Sequence, residues 1–266
     1  MTLSPSDIDA RLTAVRDASP LVQCIANAVV LNHLANTLLA LGCAPAMVDI
    51  PEEAGAFART AAALLINLGT PYAEPRAAAL EAVASATDAG VPWVLDPVAV
   101  GSLPVRTRLA RELLRHQPAV IRGNPSEVMA LAGSGRGGRG TDTLATADDA
   151  RQAAQDLAQR HQAVVAVSGE TDLVTDGVTD LRVRNGHPWL TRITGGGCAL
   201  GATVAAFVAL DSSQPFKAVA AAVAAYAIAA EQAAAHAAGP GSFKPAFVDA
   251  LHNLDQATIA ARLNMS

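Results

Sequence analysis

Short apolar runs alternate with longer segments of helical character along most of the chain. The short runs are bounded by turn-forming residues, which is typical of buried strands. The longer segments place apolar residues three or four positions apart and often stop at glycine, as helices do. Strands that alternate with helices through short connections predict an α/β fold, with a mostly parallel central sheet and helices on both of its faces.

Six strands are predicted from the short apolar runs, and a hairpin is predicted after them. The six strands are residues 21–25, 46–48, 64–68, 93–95, 119–121 and 164–167. Residues 178–183 and 189–192 flank Asn185-Gly186, a pair that favours a tight hairpin turn. The predicted helices cover residues 6–17, 28–41, 51 onward, 74–89, 124–133 and 146–159, and most of the chain after 198. No internal repeat or linker interrupts the pattern, so we predict a single domain over residues 1–266.

Polar side chains gather where the predicted strands end, and ligands of such folds bind beyond those carboxyl ends. Asp96, Asn124 and Glu127 carry hard oxygen ligands that suit magnesium. Alternatively, Asn124 and Glu127 cap the following helix and Asp96 forms an Asp-Pro turn. Arg122 follows three apolar residues and needs a partner, either a phosphate group or a local acid. The sequence alone leaves open whether these residues bind magnesium or cap a helix, and whether Arg122 pairs with phosphate or with an acid.

A glycine-rich stretch, Gly195-Gly196-Gly197, leads through Cys198 into a long apolar segment. Glycine lets a backbone approach a ligand closely, and the unpaired N–H groups at a helix start attract anions. The same helix end would favour ionisation of the Cys198 thiol. The alternative is a simple turn before a buried helix, with Cys198 as a small apolar residue.

Cys198 has two candidate chemical roles, those of a nucleophile and of a general base. A nucleophile needs a histidine partner, and none of the six histidines shares a motif with Cys198. A GxSxG elbow is absent, and His33 is most simply explained as helix surface or core.

Composition narrows the function classes. The net charge is −5 and the chain has no run of basic residues, so we expect no nucleic-acid partner. Only Lys217 and Lys244 are lysines, and a GxxxxGK[ST] phosphate loop is absent. Three cysteines without a CxxC motif indicate a reducing, cytoplasmic setting. No signal peptide is evident, and polar residues break the alanine-rich run 217–238, so we expect no membrane association.

A GxGxxG match at residues 133–138 follows a predicted helix, whereas the dinucleotide fingerprint must follow a strand. We therefore interpret it as a mobile loop, whose Arg136 and Arg139 could close over a polyphosphate.

Taken together, these motifs resemble the hydroxyethylthiazole kinase family of the ribokinase-like superfamily. The segments that carry the resemblance are residues 19–22, 35–42, 95–98, 121–124, 168–170, 192–202 and 239–243. The resemblance implies ATP-dependent phosphorylation of the primary hydroxyl of 4-methyl-5-(2-hydroxyethyl)thiazole in thiamine salvage. It also implies Mg²⁺ and a homotrimer with active sites between subunits. A kinase for another small alcohol, such as hydroxymethylpyrimidine, and a cysteine-nucleophile hydrolase or transferase are the alternatives.

The resemblance also implies residue roles. Arg122 and Ser168 look like ATP contacts, and Cys198 stands at the position of the catalytic base. Residues 195–198 look like the anion hole. Glu127 resembles the magnesium-linked acid, and Asp96 is a further candidate metal ligand. The candidate substrate contacts are Met47, Gly195 and Asn27.

Five positions depart from the usual family pattern, and one of them, Pro125, stiffens the turn that bears the acid. Asn27 lies between Ala26 and Ala28, so two larger side chains near the thiazole are missing. Ser168 replaces a threonine but keeps the hydroxyl group. Gly196 replaces alanine or threonine, from which we expect a looser loop.

Overall fold

A computed structural model describes residues 3–135 and 145–266. Its strands are β1 (Leu21–Ile25), β2 (Ala44–Ala46), β3 (Ala63–Asn67), β4 (Trp93–Asp96), β5 (Val120–Gly123), β6 (Val164–Val167), β7 (Asp172–Thr175) and β8 (Asp180–Val183). They form one sheet in the order β2-β1-β3-β4-β5-β6-β7-β8. The strands from β2 to β6 are parallel, and β7 and β8 join antiparallel at one edge. The predicted, mostly parallel α/β sheet is therefore confirmed.

Helices cover both faces of the sheet, because its strands are apolar on both sides. One face carries α1 (Pro5–Ala18), α2 (Leu31–Ala40), α8 (Gly196–Val208), α9 (Pro215–His236), α10 (Pro240–Asn253) and α11 (Gln256–Arg262). The other face carries α3 (Ala54–Ala58), α4 (Ala73–Ala89), α5 (Pro104–Leu113), α6 (Pro125–Ala132) and α7 (Arg151–His161). Strand side chains point alternately to the two sides, as Leu65 does toward α8 and Leu64 toward α4.

The start of α6 forms as its local sequence predicts. The Asn124 side chain accepts a hydrogen bond from the Glu127 N–H at 2.9 Å, and Glu127 accepts one from the Asn124 N–H at 2.8 Å. This reciprocal capping box, with Pro125 in the first helical position, satisfies N–H groups that a helix start leaves unpaired. The cap turns the chain at the end of β5 and places the Glu127 carboxylate beside Gly123, the last residue of that strand.

The predicted hairpin at residues 178–192 is wrong. Asn185 is buried and its side chain bonds Glu231 at 2.9 Å and the Arg262 carbonyl at 2.7 Å, so it ties together α9 and α11. Residues Pro188–Arg192 form a 3₁₀ helix in place of a strand. The observed hairpin joins β7 to β8, and the Asp176 carboxylate holds its turn by accepting the Val178 and Thr179 N–H groups. Strand β7 and helix α5 were not predicted.

The alanine-rich segment is the central helix of its layer. Helix α9 is long and apolar enough to cross a membrane by length and composition, and 78% of its most apolar window is buried in the fold. Alanine side chains cover most of the surface of α9, and because they are small, the neighbouring helices and the sheet approach closely. Helix α9 is therefore buried in the way that a core helix is.

Candidate active site

The candidate site lies at the carboxyl edge of the sheet, where four adjacent parallel strands end. Asn67 ends β3 and pairs in register with Asp96, which ends β4. Arg122 lies near the end of β5, and Ser168 follows β6. Sheet order therefore brings together residues that are up to about a hundred positions apart in the chain.

Hydrogen bonds and an ion pair link these four side chains. The Asn67 amide donates to Asp96 Oδ2 at 2.6 Å, and Arg122 Nη1 lies 3.6 Å from the same oxygen. Arg122 Nη2 donates to Ser168 Oγ at 2.7 Å. Two buried polar atoms of the network, Asp96 Oδ1 and Arg122 Nε, have no hydrogen-bond partner in the part of the chain that is described.

Of the two predicted partners for Arg122, a phosphate group and a local acid, the structure shows the acid, which is Asp96. Burial disfavours the charge of Arg122, but the carboxylates of Asp96 and Glu127 outweigh this effect and raise its pKa, so the guanidinium stays charged. Burial raises the pKa of Asp96, against the opposing effects of Arg122 and Asn67. Since Arg122 also faces the glycine turn, the ion pair leaves it available to an anion.

The glycine turn places the start of α8 against the Arg122 guanidinium. Gly195 caps the helix with a left-handed backbone (φ 93°), a conformation that other residues rarely adopt. The first intrahelical bond runs from the Ala199 N–H to the Gly195 carbonyl at 2.8 Å, so the N–H groups of residues 196–198 have no partner within the helix. A Cβ atom on Gly197 would lie 2.9 Å from Arg122 Nη1. Helix start and guanidinium therefore concentrate positive potential at one point.

The expected ionisation of Cys198 by the helix end is wrong. Burial and the Asp96 carboxylate raise the pKa of the Cys198 thiol to about 12, although Arg122 and the Asn67 amide lower it. The helix end is a local effect, and loss of hydration together with a neighbouring negative charge exceeds it. The thiol is consequently protonated at neutral pH.

Both carboxylate oxygens of Glu127 accept backbone N–H groups. One accepts from Asn124, and the other accepts from Ala99 at 2.8 Å. Burial and the Asp96 carboxylate nevertheless raise the pKa of Glu127 to about 7. The capping interpretation is confirmed, and the raised pKa shows that burial and the nearby Asp96 disfavour the charged form of Glu127. No group of three His, Cys, Asp or Glu side chains suited to a metal occurs among residues 3–135 and 145–266.

The three candidate substrate contacts lie toward the β2–β1 side of the same edge. Asn27 follows β1, and its side chain packs so closely on Gly69 that a Cβ there would lie 2.2 Å from Asn27 Nδ2. The turn after Asn27 reaches the glycine stretch, since a Cβ on Gly195 would lie 3.0 Å from Val30 Cγ1. Met47 follows edge strand β2 and is half-buried.

His33 lies in the core beneath the glycine turn, in agreement with one of its predicted placements. It is 2% exposed, and neither ring nitrogen has a partner among the described residues. Burial and the nearby Lys244 lower the pKa of His33 to about 4, so the imidazole is neutral at pH 7.

The expected loose loop at Gly196 is wrong. A Cβ atom there would lie 2.2 Å from the Leu190 carbonyl oxygen, so backbone fills the space that a side chain would occupy. The Tyr226 hydroxyl donates to the Gly196 carbonyl at 2.5 Å from the opposite side. Tyr226 and Asn67 were missing from the predicted site. A tyrosine in an alanine-rich helix and an asparagine at a strand end were the available signals.

Neither tryptophan lies where the four-strand network forms. Trp93 begins β4 at the amino edge of the sheet, and its indole donates to the His116 carbonyl at 3.1 Å. Trp189 packs edge-on against His187 and Phe243. Because only 3% of the residues are aromatic, we predict that the ligand rings meet mainly aliphatic side chains and backbone. The arginines at 136 and 139 lie outside the described residues.

Comparisons with known proteins give a consistent result. The sequence matches the Hydroxyethylthiazole kinase family over residues 12–257. A hydroxyethylthiazole kinase of Clavibacter sepedonicus is 54% identical over 255 residues, which cover 96% of this chain and 92% of the relative.

Solved structures agree with the sequence matches. The structure of a hydroxyethylthiazole kinase from Pyrococcus horikoshii superposes with a TM-score of 0.90 at 36% identity, covering 98% of both chains. A ribokinase-like superfamily protein from Enterococcus faecalis superposes with a TM-score of 0.64 at 12% identity, covering 96% of both chains. The latter likeness concerns the fold alone, and the predicted ribokinase-like fold is confirmed.

Loss of the Arg122 charge should destabilise the fold far more than loss of a surface charge. Arg122→Gln leaves Asp96 buried without its counter-ion, and we expect a loss of about 3 kcal/mol in the free energy of unfolding. The matched control is Arg182→Gln, which removes a largely exposed pair with Asp148 (2.7 Å) and should cost less than about 1 kcal/mol. Urea unfolding measures both, and equal losses would contradict a structural role for the buried pair.

Proposed function

The chain belongs to the hydroxyethylthiazole kinase family, and from this premise we propose that its sheet-edge residues carry out the transfer of a phosphoryl group. The enzyme is an ATP-using phosphotransferase that phosphorylates the hydroxyl group of 4-methyl-5-(2-hydroxyethyl)thiazole in thiamine salvage. One observation carries the assignment of the site. The start of α8, whose first N–H groups have no partner within the helix, lies against the Arg122 guanidinium, which makes a two-sided receptor for phosphate.

Phosphoryl transfer depends mainly on positioning and on stabilisation of charge. The N–H groups of residues 195–198 form the proposed anion hole for the transferring group. Arg122 and Ser168 are the proposed contacts to the ATP phosphates, and their mutual hydrogen bond of 2.7 Å holds both in place. Met47, Gly195 and Asn27 are the proposed contacts to the thiazole alcohol. They lie on the β2–β1 side, so the alcohol would approach the anion hole from the side opposite Ser168.

Magnesium is the proposed metal, and the chemistry of the donors fits it. Asp96 Oδ1 is buried without a hydrogen-bond partner among the described residues, and carboxylate repulsion contributes to the raised pKa of Glu127. A divalent cation would relieve both conditions, with Asp96 and Glu127 holding it directly or through water. When bound, magnesium would supply positive charge that neutralises the phosphate groups.

Cys198 is the proposed general base. Its thiol belongs to the first turn of α8, beside the proposed anion hole. Its high pKa means that the free enzyme carries little thiolate. We therefore propose that the thiol first releases its own proton to solvent and that the thiolate then accepts the hydroxyl proton late, when that proton has become acidic. The family assignment disfavours the cysteine-nucleophile alternative.

We propose one domain over residues 1–266 and a cytoplasmic homotrimer with active sites between subunits, without nucleic-acid or membrane partners. All described elements pack on one sheet, and the three cysteines are free. Two exposed apolar side chains, Val29 and Ile50, follow strands β1 and β2 on the substrate side of the sheet edge. Such side chains are suited to contact with a neighbouring subunit.

ADP release should identify the alcohol. We expect kcat/KM with 4-methyl-5-(2-hydroxyethyl)thiazole to exceed that with hydroxymethylpyrimidine by roughly 100-fold, because pocket contacts discriminate between ring shapes. A coupled assay with each alcohol, and without alcohol, measures this ratio. A preference for the pyrimidine would support the alternative kinase, and release of ADP without any alcohol would contradict both.

Replacement of Cys198 should impair the enzyme without abolishing turnover. We expect Cys198→Ala to lower kcat about 10- to 100-fold, because a base contributes less than the anion hole when the transition state is loose. Cys198→Asp should stay active, since a carboxylate can accept the same proton. Cys43→Ala, at a buried free cysteine outside the site, is the matched control and should keep full kcat. Full kcat in Cys198→Ala would rule out the base role.

Replacement of Glu127 should raise the magnesium requirement. We expect Glu127→Gln to need about 10-fold more magnesium for half-maximal activity, because the substitution removes a negative charge near the metal. Glu81→Gln is the matched control, since Glu81 also accepts two backbone N–H groups, from Glu52 and Gly55, at 2.8 and 3.1 Å. Magnesium titrations that coincide for the wild type and Glu127→Gln would leave Glu127 with its capping role alone.

A further inference from the structure

Two segments contact residue 196, namely helix α9 and the 3₁₀ helix just before the glycine turn. Tyr226, on helix α9, is 2% exposed and donates its hydroxyl hydrogen bond to the Gly196 carbonyl at 2.5 Å. The Leu190 carbonyl, in the 3₁₀ helix, lies where a side chain of residue 196 would begin. The first peptide unit of α8 therefore has contacts on two sides.

The Gly196 carbonyl shares its peptide unit with the N–H group of Gly197. The unit is planar and trans, so its C=O and N–H bonds point in opposite directions. A hydroxyl group that holds the C=O toward the core consequently turns the N–H away from the core. Gly197 lies against the Arg122 guanidinium, as the 2.9 Å approach of its hypothetical Cβ shows. The backbone that carries this N–H group therefore lies directly beside the Arg122 guanidinium.

Three consecutive glycines restrain this peptide unit only weakly, because glycine has the widest choice of backbone angles. The Tyr226 hydrogen bond therefore adds to the restraint that the first turn of α8 provides. The Tyr226 ring packs edge-on against Phe247, with 4.7 Å between the ring centroids. Burial raises the pKa of the Tyr226 phenol, which therefore stays a hydrogen-bond donor. The aromatic contact holds the ring independently of the hydroxyl, so removal of the hydroxyl alone should not displace the ring.

We propose that Tyr226 is a positioning residue for phosphoryl transfer, whose hydroxyl aims the Gly197 N–H group at the transferring phosphoryl group. Tyr226 touches neither ATP nor the alcohol and acts through the backbone of Gly196. This inference rests on the proposed function of residues 195–198 as the anion hole.

Tyr226→Phe tests the inference, because it removes one oxygen atom and keeps the ring. We expect kcat to fall about 10-fold, less than for deletion of an anion-hole donor, while the KM values for ATP and the thiazole change less than about 2-fold. The inhibition constant of ADP, magnesium and fluoroaluminate, a mimic of the transferring phosphoryl group, should rise by the same factor as kcat falls. Binding of ADP alone should stay as in the wild type.

The chain contains one other tyrosine, Tyr72, which is 70% exposed and provides the control. Tyr72→Phe should leave kcat and the inhibition constant unchanged. A Tyr226→Phe enzyme with wild-type kcat would overturn the inference alone. A Tyr226→Phe enzyme that loses only thermal stability and still binds the mimic as tightly as the wild type would also overturn the inference. An inactive wild type would overturn the proposed function and, with it, the inference.

A second measurement uses the unaltered fold in case Tyr226→Phe does not fold. Enzyme labelled with 3-fluorotyrosine should give two ¹⁹F resonances, which Tyr72→Phe assigns. Addition of ADP, magnesium and fluoroaluminate should shift the Tyr226 resonance, because the Gly196–Gly197 peptide unit links the hydroxyl to the bound mimic. ADP alone should shift it less. A Tyr226 resonance that does not respond to the mimic would contradict the proposed coupling.

Discussion

The buried contact between Arg122 and Asp96 is the interaction on which the rest of the site depends. Each residue comes from the carboxyl end of one of two adjacent parallel strands, so the sheet brings the opposite charges together. Asn67 and Ser168 extend the network to the strands on either side. Neither charge would be tolerated at this depth without the other, because an unpaired buried charge loses its hydration without compensation. The paired guanidinium then provides a fixed positive surface for helix α8.

Phosphate binding without a lysine loop follows from that arrangement. The start of α8 contributes unpaired N–H groups, and Arg122 contributes the full charge, so backbone and side chain act on one anion. Such close contact requires glycine at position 197, where any side chain would meet the guanidinium. At position 196 the Leu190 carbonyl excludes a side chain, and the Tyr226 hydroxyl holds the peptide unit. Two distant residues, Arg122 and Tyr226, together with the preceding 3₁₀ helix therefore orient a glycine-rich stretch.

Much of this architecture could be predicted from local patterns. The sheet, the strand ends that carry Asp96 and Arg122, and the capped start of α6 all appeared as expected. The hairpin was misplaced because Asn185-Gly186 suits a tight turn by itself, whereas Asn185 actually serves contacts with α9 and the C-terminal segment. The Cys198 pKa was predicted in the wrong direction because a single local effect, the helix end, was considered without burial and Asp96.

The sequence by itself determined the alternation of strands and helices, the polar strand ends and the glycine turn. These follow from hydrophobic periodicity, capping and the backbone freedom of glycine, which act within a few residues. Only the tertiary structure decided which acid pairs with Arg122, how much room Gly196 has and which way the Cys198 pKa moves. Those outcomes depend on distances and hydration among groups far apart in the chain, such as Gly196 and Tyr226, which no local pattern contains.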